Sequence, residues 1–104
     1  MNSIFWTGYC NKERIIAIID IENIINDHGY LVDFKQFSDI SISITIELEE
    51  SKIDRLYNIL KNYMSMNEFE YLNSTYDTER IVFFNITFIK GTGDLRIEIQ
   101  DISE

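Results

Sequence analysis

The chain has 104 residues, 45% of them hydrophobic and 13% aromatic. This composition fits a single globular domain over residues 1–104. Asp and Glu number 18 against 9 Lys and Arg, so the net charge is -9 and nucleic-acid binding is not expected. No run approaches the ~20 apolar residues that span a bilayer. The start lacks the pattern of a secretory signal, and the lone Cys10 has no disulfide partner. We expect a cytoplasmic protein that is not embedded in a membrane.

The first predicted elements are a strand and a helix. Ile4 to Tyr9 is a β-branched and aromatic run with large side chains on both faces, which is typical of a central strand. Apolar residues at helical spacing then predict a helix from about Lys12 to His28, with Asn11 as its cap and His28-Gly29 as its stop.

Two more strands and a second helix follow. The strands Leu31 to Phe37 and Ser41 to Glu49 are joined by Ser38-Asp39, and the second alternates strictly, so a half-buried hairpin is predicted. Ser51 and Asp54 have the spacing of a capping box at the start of the second helix. Its apolar stripe consists of Ile53, Leu56, Tyr57, Leu60, Tyr63 and Met64.

The C-terminal part is predicted to end in a hairpin. The pattern from Ser65 to Thr78 is weak, and we expect this segment to be irregular. A strand from Ile81 to Lys90, the turn Gly91 to Asp94 and an alternating strand from Leu95 to Asp101 then form the predicted hairpin.

The element order predicts an α+β fold. It reads β-α-β-β-α-β with an extra C-terminal hairpin strand, and right-handed crossovers place both helices on one face of an antiparallel sheet, as in a ferredoxin-like sandwich. The other sheet face is then open, polar on the third strand and apolar on the fourth through Ile81, Phe83 and Ile89. The first strand adds either Phe5 and Tyr9 or Ile4 and Trp6 to this face. Such an apolar patch predicts self-association into a homodimer.

Several segments together resemble the ACT domain over about residues 3 to 65. They are the run Thr7 to Ile15, a helix closing on His28-Gly29, the stretch Tyr30 to Phe34, the strand Ile42 to Leu48 and a helix from Lys52. ACT domains are regulatory modules of ferredoxin-like fold that pair and commonly bind amino acids near the loop between the first strand and first helix. The resemblance implies a non-enzymatic module that senses a small, amino-acid-like metabolite or serves in an assembly.

The loop before the first helix supplies the candidate ligand-binding residues Asn11, Lys12 and Arg14. The ACT family usually has an acidic residue where this chain has Asn11, and a glycine where it has Arg14. Lys12 and Arg14 oppose the helix macrodipole, and a ligand carboxylate would resolve that conflict. The alternative is that carboxylates of the protein itself, such as Glu13 or Asp39, screen both cations.

The first helix also has an unusually wide apolar surface at its start, formed by Ile15, Ile16 and Ile19. This surface is either a contact between subunits or is covered by the segment from Ser65 to Thr78. The residues predicted to form a dimer interface are Phe5, Ile15, Ile19 and Phe83.

No residue pattern predicts catalysis, a metal site or a cofactor. His28 is the only histidine, and its place beside the helix stop suggests a bond to the last helix carbonyls. Cys10 has no second ligand or base near it in sequence. A small ferredoxin-like enzyme would need polar groups between sheet and helices. The candidates for that role are Tyr57, Tyr63, Asn85 and His28.

The excess of acidic residues supports a second hypothesis. An inhibitor or immunity-type protein that covers a basic partner uses electrostatic complementarity. Clustered carboxylates without a ligand pocket would favour this acidic interaction protein over the metabolite-binding module.

Overall fold

The computed structural model describes residues 3–89, and these form an α+β fold with a five-stranded sheet and two helices. A 3-10 turn, Glu50–Lys52, leads into the second helix. The elements are β1 (Ile4–Cys10), α1 (Arg14–Asn26), β2 (Tyr30–Ser38), β3 (Ser41–Glu49), α2 (Ile53–Tyr63), β4 (Ser65–Met66) and β5 (Glu79–Phe88). The predicted strand Leu95 to Asp101 lies outside the described residues.

The sheet order is β2-β3-β5-β1-β4, with β5 parallel to β1 and antiparallel to β3. The sheet is therefore mixed, which corrects the expected antiparallel sheet. A ferredoxin-like sandwich would place β1 between β3 and the last long strand, whereas here β5 lies between β1 and β3. In this order the core residues Val82 and Phe84 of β5 lie between the buried Ile4 and Trp6 of β1 on one side and the buried Ile46 and Ile44 of β3 on the other.

The turn and second strand of the predicted C-terminal hairpin lie outside the described residues, and its first strand is the central β5. From Val82 to Thr87 every residue of β5 has a β1 partner on one side and a β3 partner on the other. Within the described residues both edges of this stretch of β5 are therefore occupied. The predicted hairpin of β2 and β3 is confirmed, with Tyr30 paired to Glu47 and Ser38 to Ser41.

The core lies between the sheet and the two helices. The inward side chains of β3 and β5 are at most 2% exposed, and Trp6 of β1 is 1% exposed. Burying each such side chain contributes roughly 1.5–3 kcal/mol. The helices contribute Ala17, Ile21, Ile25, Ile53, Leu56, Tyr57 and Leu60.

Both helices begin differently from the sequence prediction. The N-cap of α1 is Glu13 rather than Asn11, because the Glu13 carboxylate accepts hydrogen bonds from the backbone N–H groups of Ile15 and Ile16, each 3.1 Å long. The helix is accordingly shorter than predicted at both ends. The predicted Ser51–Asp54 capping box does not form, since Lys52 precedes α2 without a side-chain cap.

The segment Ser65 to Thr78, predicted to be irregular, begins with the short strand β4. Its remainder, 67–78, called the strap below, is irregular and lies on α2. The Asp54 carboxylate accepts hydrogen bonds from the backbone N–H groups of Leu72 (2.9 Å) and Asn73 (2.8 Å). The Phe69 ring lies 5.0 Å from the Tyr57 ring, centroid to centroid. The strap is thus fixed on α2, and three isoleucines of α1 remain more than half exposed.

Candidate functional site

The loop between β1 and α1 does not bring its three predicted ligand-binding residues together. Lys12 donates a hydrogen bond from Nζ to the backbone carbonyl of Tyr63 (2.5 Å), the last residue of α2. Its Nζ also lies 4.1 Å from the centroid of the Tyr63 ring. A cation near a helix C-terminus, and one over an aromatic ring, both stabilise the folded state. Lys12 therefore stabilises the end of α2 and does not point into a ligand site.

Tyr63 joins this loop to both helices. Its hydroxyl donates a 2.7 Å hydrogen bond to Asp20 Oδ2 on α1. Burial, followed by this bond to a carboxylate, raises the pKa of Tyr63 well above its ordinary value. The hydroxyl therefore stays protonated at neutral pH, and it holds the two helices together instead of acting as a base.

Arg14 is partly exposed at the start of α1 and has no hydrogen bond or ion pair with another residue of the described range 3–89. Its charge acts on the neighbouring Glu13, whose pKa is lowered chiefly by the N-cap hydrogen bonds from Ile15 and Ile16 and to a smaller extent by Arg14. This supports the interpretation that Glu13 offsets the unfavourable placement of a cation at the helix start.

Asn11 is the one member of the predicted trio that lines a cleft. The cleft has a volume of about 490 Å³ and lies where β1, α2 and β4 end or begin. Lys61, Asn62 and Ser65 face it with Asn11, while Lys12 and Arg14 do not. One cation and several amide or hydroxyl groups suit a small polar anion, although the cleft is widely open to solvent.

Of the residues considered for catalysis, Tyr57 and His28 form hydrogen bonds that hold the fold, as Tyr63 does. The Tyr57 hydroxyl donates to the carbonyl of Asn67, and His28 Nδ1 lies 2.8 Å from the carbonyl of Ile24. The second contact confirms the predicted role of His28 at the end of α1. Asn85 is exposed on the open sheet face, so Tyr57, His28 and Asn85 do not converge on one cavity.

Two further observations concern residues 3–89 as a whole. Within that range no three His, Cys, Asp or Glu side chains are grouped in a way that would hold a metal ion. No helix formed by these residues is long and apolar enough to cross a membrane.

The open sheet face carries an exposed aromatic pair. Phe5 and Tyr9, rather than Ile4 and Trp6, point to this face, which decides the alternative left open by the sequence. Phe5 is 68% exposed and stacks on Phe83, with ring centroids 5.2 Å apart and planes inclined by 21°. The pair forms because β1 and β5 place these two residues directly opposite each other.

Thr45 of β3 lies opposite Phe83, and carboxylates follow further along the same sheet face. Glu47 of β3 lies opposite Ile81, and Glu49 lies opposite Glu79. The one ion pair among them joins Lys52 Nζ to Glu49 Oε1 at 3.3 Å. We call this surface the aromatic–acidic patch, formed by Phe5, Ile81, Phe83, Glu47, Glu49 and Glu79. The sequence predicted its apolar part but not its acidic rim, because the register of β3 against β5 brings the two together.

The second apolar surface is the outer face of α1. Ile15, Ile16 and Ile19 are 60%, 57% and 53% exposed. Beside them a groove of about 200 Å³ separates α1 from β2, and its lining includes Ile18 and Phe34.

The predicted dimer interface is therefore divided. Phe5 and Phe83 lie on the open sheet face, whereas Ile15 and Ile19 lie on the outer face of α1 in the helix layer. These are two separate surfaces rather than one.

Comparisons with known proteins identify no family for the chain. No protein-family model, curated protein or solved structure matches the chain. Function is therefore inferred from the cleft lined by Asn11, the aromatic–acidic patch and the outer face of α1.

Proposed function

We propose that the protein is a non-enzymatic interaction module that binds a basic protein partner on its aromatic–acidic patch. The observation that carries this proposal is the stack of Phe5 on Phe83 with Glu47 of β3 on the same sheet face, opposite the adjoining Ile81. An exposed apolar patch rimmed by polar groups is typical of a protein interface.

Arginine is the side chain that this chemistry suits best. A guanidinium stacks on an aromatic ring, which contributes about 0.5–1 kcal/mol at exposed sites and more when water is excluded. It also forms paired hydrogen bonds with a carboxylate. Phe5 offers the exposed ring, and Glu47 offers a carboxylate opposite the adjoining Ile81.

The charge of the whole chain supports the same partner. A net charge of -9 raises the association rate with a basic protein and lowers it with an acidic one. The rim carboxylates are expected to affect the association rate, and the aromatic pair to affect dissociation.

A labelled oligo-arginine peptide tests this proposal by fluorescence anisotropy. We expect binding to weaken as salt rises towards about 0.15 M, because the exposed charges become screened. Phe5→Ser and Glu47→Gln should each reduce affinity by about tenfold. Glu22→Gln removes the same charge from α1 and serves as the matched control.

Two results would contradict the proposal. If Glu22→Gln weakens binding as much as Glu47→Gln does, the peptide responds only to net charge. If Phe5→Ser has no effect, the aromatic pair is not part of the binding surface.

The cleft supports a second candidate, the ACT-like sensing of an amino-acid-like metabolite. It rests on the position of Asn11 and Lys61 in one cleft, since the sheet order does not support the ferredoxin-like part of that resemblance. Amino acids at 100 times their dissociation constant should stabilise the chain by about 2.7 kcal/mol in a thermal-shift assay. Asn11→Ala and Lys61→Ala should abolish the shift and Arg14→Ala should not. An unchanged midpoint with every amino acid would exclude this candidate and leave the first untouched.

A further inference from the structure

We propose that residues Leu95 to Asp101 add a sixth strand to the sheet, antiparallel to β2 on its free edge, with their apolar side chains over the groove between β2 and α1. This inference goes beyond the proposed function, because neither β2 nor the groove belongs to the aromatic–acidic patch. It joins a strand predicted from the sequence to a surface that the described residues leave uncovered. The occupant of the edge is thus a segment of the same chain.

β2 offers a long free edge. Its nine residues pair with β3 on one side and have no neighbouring strand on the other side within the described sheet. Every residue of β2 except Leu31 is exposed. The unpaired N–H and C=O groups of such an edge can pair with a further strand. An added strand would therefore use the backbone groups that β3 leaves open.

The groove of about 200 Å³ lies on the helix side of β2. Leu31 and Phe34 line it from β2, and Ile18 lines it from α1. Phe34 pairs with the buried Ile44 of β3 and points to the same side of the sheet, yet it is 39% exposed. A further strand beside β2 would exclude water from this ring, which is favourable for apolar surface. The groove therefore suits an apolar strand face.

The predicted strand Leu95 to Asp101 has one apolar and one polar face, because alternate residues of a strand point to the same side. Its apolar side chains are Leu95, Ile97 and Ile99, and its polar ones are Arg96, Glu98 and Gln100. When the apolar face covers the groove, the polar face lies on the open side of the sheet beside Asp33 and Lys35 of β2. Each strand then presents one cation and one carboxylate, so the pairing brings no excess of like charge together.

The chain can reach this edge from the end of β5. Ser41 pairs with both Ser38 of β2 and Thr87 of β5, so these two strands finish at the same end of the sheet. A strand that starts there and runs back is antiparallel to β2. The position beyond β2 is three strand spacings from β5, or ~14 Å. The six steps from Ile89 to Leu95 span up to ~20 Å, which is enough.

The other edge of the sheet fits this segment less well. β4 lies there with only two residues, which pair with Gly8 and Tyr9 of β1. Beyond β4 the strap occupies the edge, because the Thr7 backbone N–H donates a 2.8 Å hydrogen bond to Asn67 Oδ1. A strand beside β4 would have two residues to pair with, against nine on β2. The length of the edge therefore selects β2.

Hydrogen exchange of the full chain, followed by NMR, tests the inference. Ile99→Asp places a charge on the apolar face and should make β2 amides exchange about tenfold faster, with β5 unchanged. Gln100→Asp adds the same charge on the polar face, and this matched control should leave β2 unchanged. In the parent chain β2 still exchanges faster than β5, because a terminal strand opens at a lower free energy than the rest of the sheet.

Nuclear Overhauser effects locate the segment directly. We expect cross-strand effects between backbone protons of residues 95–101 and those of β2 in the parent chain and in Gln100→Asp. In Ile99→Asp these effects should be lost, while those between β1 and β5 persist and show that the variant remains folded.

Four results would overturn the inference. They are unchanged β2 exchange in Ile99→Asp, equal acceleration in both variants, cross-strand effects that join residues 95–101 to β1 or β4, and protection of β2 that rises with protein concentration. The last result would assign the segment to the β2 edge of a second copy of the chain. The peptide-binding assay reports on Phe5 and Glu47 separately, so failure of either proposal is distinguishable.

Discussion

Glu50 illustrates how single side chains hold the strap and β5 in place. Its carboxylate accepts hydrogen bonds from Ser74 Oγ (2.5 Å) and Arg80 Nη1 (2.8 Å). The side chains of Arg80 and Glu50 are only 12% and 16% exposed. The sequence could not predict this cluster, since its members are 24 and 30 positions apart and no local pattern joins them.

The same cluster predicts a pH dependence. The hydrogen bond from Ser74, followed by that from Arg80, lowers the pKa of Glu50 below its ordinary value of 4.5. A lowered pKa stabilises the folded state above the unfolded pKa, and this contribution is lost as pH falls through the folded pKa. Glu50→Gln should therefore lower the free energy of unfolding at neutral pH. In this variant the free energy of unfolding should also fall less steeply as the pH drops below 4.5.

Urea unfolding at a series of pH values measures this effect. Glu68→Gln is the control, because the Glu68 carboxylate has no hydrogen bond or ion pair among the described residues. An equal flattening in both variants would assign the acid sensitivity to overall charge rather than to the Glu50 cluster.

At the scale of elements, the sequence predicted best where the hydrophobic period was clean. The strict alternation of β3 and the apolar stripe of α2 gave nearly the observed boundaries. The start of α1 was misplaced, because Glu13 rather than Asn11 accepts the free N–H groups. Of the predicted ligand-binding residues, Asn11 alone lines the cleft. Lys12 instead donates a hydrogen bond to the Tyr63 carbonyl on α2, which is distant in sequence.

Gly29 connects α1 to β2 and yields a prediction at this scale. A Cβ atom built on Gly29 would lie 2.5 Å from the carbonyl oxygen of Glu47 and 2.5 Å from Leu48 Cβ. The glycine is therefore required by the close approach of β3. Gly29→Ala should destabilise the fold by about 1–3 kcal/mol in urea unfolding. Asn23→Ala, at an exposed position of α1, should be neutral or slightly stabilising, and equal costs at both sites would refute the close-approach argument.

At the scale of the whole molecule, the sheet separates two unlike surfaces. One face presents Phe5 and Phe83 with carboxylates of β3 and β5 further along it, and the helix layer presents the isoleucines of α1. For β3 and β5 the sequence predicted which side chains point outwards, because alternation determines the face of a strand; for β1 it left two alternatives. It did not predict which strands are neighbours, since alternation contains no information about pairing between distant segments.

The strand order predicts how protection from hydrogen exchange is distributed. β5 has a hydrogen-bonded neighbour on each side, whereas β2 is an edge strand of the described sheet. Amides of Val82 to Thr87 should exchange most slowly and those of β2 fastest among the long strands. Exchange followed by NMR or mass spectrometry measures this order. Equal protection of β2 and β5 would contradict the observed pairing.

Because β5 separates β1 from β3, the order of synthesis matters for the chain. Translation delivers β1, β2 and β3 to solvent before β5. During that interval the inner edges of β1 and β3 have no partner, and unpaired edges are templates for aggregation. We expect synonymous codons that slow translation between α2 and β5 to increase the yield of aggregated protein.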